Sequence, residues 1–293
     1  MDAVTLGSEI EVTFVPSAGM VACSLRHRGD ELLGQRGGLS AYVERRSTMG
    51  IPLLHPWANR LSEFRFELAG REVDLERAST KLDPNGLPIH GLLAADRGWE
   101  VLKADPAALS ASFDFGARPD LLAAFPFPHT LRIHATVDGA RLTIATTLAA
   151  TGDTPVPVSF GFHPYLQLPG IPREEWEIEA PVAERLALDE RGIPTGERTG
   201  ADVGSGPLGE RTFDDAYLAP SGPFVLAGGG RRISLAFEQG YGYSQLYAPP
   251  DDEVIAFEPM TAPTNALISG DGLQMLDPGD RYEAIFSIEV DSA

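Results

Sequence analysis

Between Leu131 and Leu148 the chain alternates apolar and polar residues on both sides of an Asp138-Gly139 pair, and this pattern limits its fold more than any other. Leu131, Ile133, Ala135 and Val137 recur every second residue before the pair, and Leu142, Ile144, Thr146 and Leu148 after it. A period of two places such residues on one face of a strand. Asp-Gly supplies the positive φ angles that a tight primed turn needs. The segment is therefore predicted to be a hairpin with one dry and one wet face, and His134, on its polar phase, to be solvated.

The same alternation returns along the chain. Phe64, Phe66 and Leu68 lead through Ala69-Gly70 into Arg71-Glu72-Val73-Asp74-Leu75, a second predicted hairpin. Leu109, Ala111, Phe113 and Phe115 form another set, as do Ile233, Leu235 and Phe237, and finally Tyr282, Ala284, Phe286, Ile288 and Val290. Helical periodicity is nearly absent, with a turn or two predicted over Asp120 to Phe125. Regularly spaced strands without intervening helices predict an all-β chain, a large antiparallel sandwich or barrel. Pro181 to Gly209 reads as a loop-rich surface excursion, and no break divides the chain, so residues 1–293 are expected to form one domain.

Composition then removes several function classes. Lys plus Arg is 23 against 42 for Asp plus Glu, a formal charge of −19 that repels phosphate backbones and anionic lipid. No nucleic acid or membrane partner is expected. One cysteine, Cys23, excludes an internal disulfide framework and a multi-cysteine metal site. The N-terminal residues show no basic region followed by an apolar core. No run reaches the roughly 18 apolar residues of a membrane span. A soluble, cytoplasmic chain is expected, compatible with a monomer or a homodimer.

Candidate chemistry sits where strands run into proline. Val158-Ser159-Phe160-Gly161-Phe162 reads as strand, and Pro164, with no N–H, stops it just after His163. Val254-Ile255-Ala256-Phe257 likewise ends at Glu258-Pro259. A carboxylate after four apolar residues has a raised proton affinity, as a general base requires. His163 and Glu258 can thus act as complementary acid and base; the plain alternative for His163 is a structural histidine at a strand end. Asn59 and Arg60, beside Trp57, offer amide and guanidinium donors next to an apolar face, a combination suited to sugars, or else Arg60 makes a structural ion pair. His90 lies between Ile89 and Gly91, and Asp214-Asp215 follow Phe213. The six histidines show no paired metal-binding spacing, and no nucleophile elbow or phosphate-cradling glycine loop is present. Neither a metal nor a cofactor is called for.

In this order, Pro56-Trp57-Ala58-Asn59-Arg60, Ile89-His90-Gly91, Gly161-Phe162-His163-Pro164-Tyr165, Phe213-Asp214-Asp215 and Phe257-Glu258-Pro259 resemble the aldose 1-epimerase (galactose mutarotase) family. Pro259 to Ala266 and the region around Gln245 differ from the galactose enzymes, so the chain is more similar to the bacterial mutarotase-like branch. The resemblance implies a galactose mutarotase-like β-supersandwich with a sugar in an open cleft. It also implies cofactor-free interconversion of the α and β anomers of a free hexose such as glucose or galactose. Position by position, it implies His163 as the acid at the ring oxygen and Glu258 as the base at the C1 hydroxyl. Arg60 and His90 would hold sugar oxygens near the reacting centre, Asn59 precedes Arg60 as in the family motif and counts with it as substrate-binding, and Tyr165 forms an aromatic wall. Asp214, or Asp215 in its place, would grip ring hydroxyls. Three other functions use parts of the same set: a sugar-binding module without turnover, a glycoside hydrolase built on Asp214 and Glu258, and a hexose-6-phosphate 1-epimerase. The last needs extra cations, for which Arg45-Arg46 and Arg231-Arg232 are the adjacent pairs in the sequence.

Overall fold

A computed structural model describes residues 2–292. The predicted all-β architecture is present as two large antiparallel sheets, one of nine and one of eight strands, with a four-stranded sheet built from strands between Val4 and Glu31. The predicted hairpin lies in the middle of the nine-stranded sheet as His129–Asp138 and Arg141–Ala150, with Leu131 opposite Leu148 and Ile133 opposite Thr146. Its turn sits one residue later than the Asp-Gly pair implies. Asp138 still pairs with Arg141, so Gly139 and Ala140 form the two-residue connection, and of these two only Gly139 takes positive φ.

Pro181 to Gly209 is not a loop excursion. It contributes Glu184–Leu188 and Pro194–Gly200 to one end of the eight-stranded sheet and Gly204–Pro207 to an edge of the nine-stranded sheet. These strands are mostly exposed, so they lack the apolar alternation by which buried strands are recognised. An unpredicted helix, Gly38–Arg45, covers one flank.

The two large sheets meet through aromatic residues. Phe224 of the nine-stranded sheet stacks on Phe257 of the eight-stranded sheet at 4.8 Å, and Phe286 tilts against Phe162 at 5.1 Å. A single cluster of buried apolar side chains runs from Leu6 to Val290. Each such buried aromatic or aliphatic side chain contributes about 1.5–3 kcal/mol by leaving water.

Inside this core is a polar link. His129 Nδ1 lies 2.6 Å from the Phe127 carbonyl, which can only accept, so Nδ1 carries the proton. Its Nε2 then accepts from His55 Nε2–H at 2.7 Å, and His55 Nδ1 is left buried without a partner. Phe115 stacks on His129 at 4.4 Å. The bond ties residues 53–60 to the nine-stranded sheet across the core. The His55 carbonyl in turn accepts from the N–H groups of Leu92 and Leu93 at 2.7 and 3.2 Å, which ties the same segment to the loop that follows Gly91.

Two predictions concern this link. A Cβ on Gly91 would lie 2.1 Å from the His55 carbonyl oxygen, at φ +74°, whereas Gly70, at φ +73°, has nothing within 4 Å. Gly70→Ala should therefore cost only about 1 kcal/mol of backbone strain. Gly91→Ala should cost on the order of 3 kcal/mol or more. Equal shifts of the thermal midpoint in the two variants would contradict this. The second prediction follows from burial, which lowers the His129 pKa from 6.5 to about 4 and drives that of His55 well below its ordinary value. The folded state thus holds both rings neutral while the unfolded chain takes up protons near 6.5. The stability they confer is complete above that pH and is lost as pH falls toward 4, by about 3 kcal/mol for His129 alone. Urea midpoints at pH 7, 5.5 and 4 should drop accordingly, and less steeply in His129→Asn; parallel slopes would exclude this origin.

Candidate active site

The eight-stranded sheet carries the site on the face turned away from the nine-stranded sheet. Paired residues in an antiparallel ladder share a face, so its register assigns the floor. One row crosses four strands as Asp214, Tyr247, Ala256 and Tyr165, and the next runs Ala216, Gln245 and Glu258. Phe257, between Ala256 and Glu258, points the opposite way into the core. Ile255–Met260 is buried on both faces, and Glu258 is 1% exposed.

Pro164 accounts for the position of His163. Gly161 pairs with Met260 and Tyr165 pairs with Ala256, the same register on either side of a gap. The ladder is interrupted where Pro164 has no N–H to give, and His163 falls opposite Glu258. Its backbone N–H turns to the Pro52 carbonyl at 3.2 Å. Gly161 is required just before the gap, because a Cβ there would meet the Pro259 carbonyl oxygen at 2.6 Å. The result is a contact of 3.2 Å between His163 Nε2 and Glu258 Oε1. Tyr165 stacks on the imidazole at 4.0 Å and Tyr247 meets it edge-on at 5.4 Å.

The remaining residues arrive on loops. Asn59 and His90 both take positive φ, and the Asn59 carbonyl accepts from the His90 N–H at 2.9 Å. Bridges between His55 and Gly91 and between Arg60 and Ile89 zip the two loops together. Asp83 holds the second loop closed by accepting from the N–H groups of Asn85 and Leu87, each at 2.8 Å. The same carboxylate accepts from Arg60 Nε at 2.9 Å, while Arg60 Nη2 reaches Asp214 at 3.0 Å and Nη1 reaches Asn59 Oδ1 at 3.2 Å. Gln245 donates to the other Asp214 oxygen at 2.7 Å. Of the two acids left open by the sequence, Asp214 lines the cleft. Asp215 faces Arg185 and borders a separate hollow with Tyr217.

All seven residues singled out from the sequence, Asn59, Arg60, His90, His163, Tyr165, Asp214 and Glu258, line one cleft of about 320 Å³. That is within the range of small-molecule sites. A wider hollow of about 670 Å³ lies between Arg173, Glu210 and Asp251, but its rim is partly or fully exposed and holds no buried titratable group. Beside these, Arg36, Thr48, Lys81, Asp83 and Tyr247 line the cleft and escaped the sequence reading. They come from loops and a strand with no flanking motif, although Lys81 is one of only two lysines in the chain. The adjacent arginine pairs lie elsewhere. Arg231 and Arg232 bind Asp30 and Glu179, Arg45 approaches Glu44, and Arg46 holds the Ser79 carbonyl.

Burial dominates the electrostatics. It raises the Glu258 pKa well above the usual carboxylate range, helped by Asp214 and opposed by Arg60. It lowers His163 well below the ordinary imidazole value, with Lys81 and Arg36 adding to the effect, and His90 shifts the same way. Buried polar atoms are nearly always bonded, yet His90 Nδ1, His163 Nδ1, Gln245 Oε1 and Glu258 Oε2 have no protein partner. Three of these four atoms belong to residues that line the cleft, His90, His163 and Glu258. Among the described residues there is no cluster of three or more His, Cys, Asp or Glu side chains that could hold a metal ion, and no helix long and apolar enough to cross a membrane.

Solved structures match this fold over nearly the whole chain. The Slr1438 protein of Synechocystis sp. PCC 6803 is 23% identical with a TM-score of 0.81, covering 100% of this chain and 96% of that one. A galactose mutarotase-like protein of Clostridium acetobutylicum is 17% identical with a TM-score of 0.84, over 97% of this chain and 93% of its own. The galactose 1-epimerase of Lactobacillus acidophilus is 14% identical with a TM-score of 0.73, over 99% and 94%. At these identities the likeness is one of fold. No curated protein sequence matches the chain. The sequence model described as aldose 1-epimerase matches residues 4–289, and the chain belongs to the aldose 1-epimerase family.

Proposed function

We propose that the protein is an aldose 1-epimerase that opens and recloses the ring of a free hexose, with His163 and Glu258 as its acid–base pair. The observation that carries this reading is their 3.2 Å contact in a buried cleft. The two oxygens that exchange protons in a hemiacetal, O1 and O5, hang on the same carbon. Two groups that touch each other can reach both at once.

The proton count supports the same assignment. Neutral His163 with protonated Glu258, and imidazolium with carboxylate, are two arrangements of a single shared proton. Burial favours the uncharged arrangement, and a sugar bridging the pair draws on the charged one. Glu258 takes the proton of O1–H, that bond's electrons form the C1 carbonyl, and the C1–O5 pair leaves on O5, which takes a proton from His163. Rotation about C1–C2 turns the other face of the aldehyde toward O5. Closure then returns one proton from O5–H to His163 and one from Glu258 to O1, restoring the starting site.

Arg60, fixed by Asp83 and Asp214, supplies donors beside the reacting centre. His90, held neutral by burial, can donate to or accept from a sugar oxygen. Tyr165 and Tyr247 give the sugar an apolar wall and keep the imidazole oriented.

Polarimetry on fresh α-D-glucose and α-D-galactose tests the reading. Enzyme-dependent mutarotation should exceed the spontaneous rate, and His163→Ala and Glu258→Gln should each lower kcat by about 10²–10⁴-fold. Saturable sugar binding with no acceleration would make the protein a binding module instead. The pH profile is a separate check. Activity requires one proton on the pair. It should therefore fall on the acid side as the pair gains a second proton and on the alkaline side as it loses its only one. With His163 lowered and Glu258 raised, the acid limb marks protonation of the imidazole and the alkaline limb loss of the proton that Glu258 retains. A rate that climbs steadily into the alkaline range would point to a lone base without a proton donor.

A further inference from the structure

Two buried titratable groups take no part in this chemistry, His55 and His129. Neither is among the residues that line the cleft, yet the chain around His55 leads to residues that are. His55 follows the strand Leu53–Leu54, and Asn59 and Arg60 come next on the same loop. Its backbone also presses on the second loop. A Cβ on Gly91 would lie 2.7, 2.3 and 2.1 Å from the His55 nitrogen, carbonyl carbon and oxygen, so the two chains meet with no side chain between them. Gly91 directly follows His90, whose N–H donates to the Asn59 carbonyl. The loops that carry Asn59, Arg60 and His90 thus share the His55 backbone as a point of attachment.

The His55 side chain fixes that point across the core. Phe115 and Phe160 meet its ring at 6.0 and 6.3 Å, at interplanar angles of 76° and 50°. Such packing constrains volume and tolerates small displacements. The 2.7 Å bond to His129 weakens steeply when misaligned, and His129 is itself held by the Phe127 carbonyl at 2.6 Å. Direction as well as distance is therefore imposed on His55 from the opposite sheet. His163 and Glu258, by contrast, are aligned by the register of residues 161 and 165 with Ile255–Met260.

Resting on the acid–base reading above, we propose that His55 and His129 are positioning residues, whose bond across the core holds the two loops where Asn59, Arg60 and His90 meet the sugar's oxygens. Losing the bond displaces the groups that bind the sugar and leaves the His163–Glu258 contact in place.

Hydrogen exchange reads this placement without a sugar. His129→Leu removes the acceptor. In it the N–H groups of His90, Leu92 and Leu93 should exchange at least about tenfold faster, while those of the strand Ile255–Met260 keep their rates. His129→Gln, whose amide oxygen can accept from His55, should restore slow exchange. In mutarotation of glucose or galactose, His129→Leu should raise KM about tenfold with kcat changed less than about threefold, and His129→Gln should reverse most of the rise. Val290→Ala, a core truncation away from the link, should leave KM unchanged. If His129→Leu does not fold, the double variant His55→Leu/His129→Leu, which leaves no buried donor unpaired, carries the same expectations. Exchange that rises evenly over both sheets, or not at all in the two loops, overturns the proposal. So does a fall in kcat at constant KM. Selective loosening of the loops in a protein that accelerates no sugar would overturn the mutarotase reading and leave the link standing. Acceleration by the parent protein with KM unmoved in His129→Leu would overturn the link alone.

Discussion

The site depends on a register that survives an interruption. Residues 161 and 165 keep the same alignment with the strand Ile255–Met260, and only the stretch around Pro164 fails to pair. A slip of one residue would send Glu258 into the aromatic core and Phe257 into the cleft, because side chains alternate strictly along a strand. The stacking of Phe257 on Phe224 opposes such a slip, since it buries one face of the strand between the two sheets. The packing that stabilises the sandwich therefore also fixes the contact between His163 and Glu258. Pro164 has the complementary role of freeing His163 from the ladder without freeing it from its neighbour.

A second constraint is the burial of that pair. Each ionised group alone would be strongly disfavoured at such depth, and the opposite shifts of His163 and Glu258 express this. Together they need no net charge, because one proton serves both. His90 and Asp214 mark the edges of this arrangement: His90 is neutral for the same reason of burial, while Asp214, 46% exposed at its side chain, is bonded to Arg60 and Gln245. The site thus combines a buried centre with a more exposed, charge-paired flank.

Much of this was legible in the sequence, for identifiable reasons. Buried strands announce themselves by alternation, so Leu131 to Leu148 and Tyr282 to Val290 could be placed by pattern alone. Exposed edge strands such as Pro194–Gly200 carry no such signal and read as loop. His163 and Glu258 stood out because each combines an apolar run with a following proline, and Asp214 could be separated from Asp215 only by the register that points one inward. Thr48, Lys81 and Tyr247 were not legible, since their loops and strand are brought to the cleft by long-range pairing. The His55–His129 bond was hidden for the same reason, as 74 residues separate its partners.

Net charge is the point at which sequence and structure weigh the same fact differently. A chain at −19 disfavours polyanions approaching from a distance. Beyond about 8 Å at physiological ionic strength, however, that field is largely screened. Within the cleft the relevant charges are those in contact range, and there, among the described residues, Lys81 has no carboxylate within 4.0 Å. An acidic surface and a locally cationic pocket end are therefore compatible. The first acts on encounter with large charged partners, and the second acts only on groups within contact range. Composition speaks only to the first, so the discrimination made inside the cleft has to be sought in the placement of single side chains.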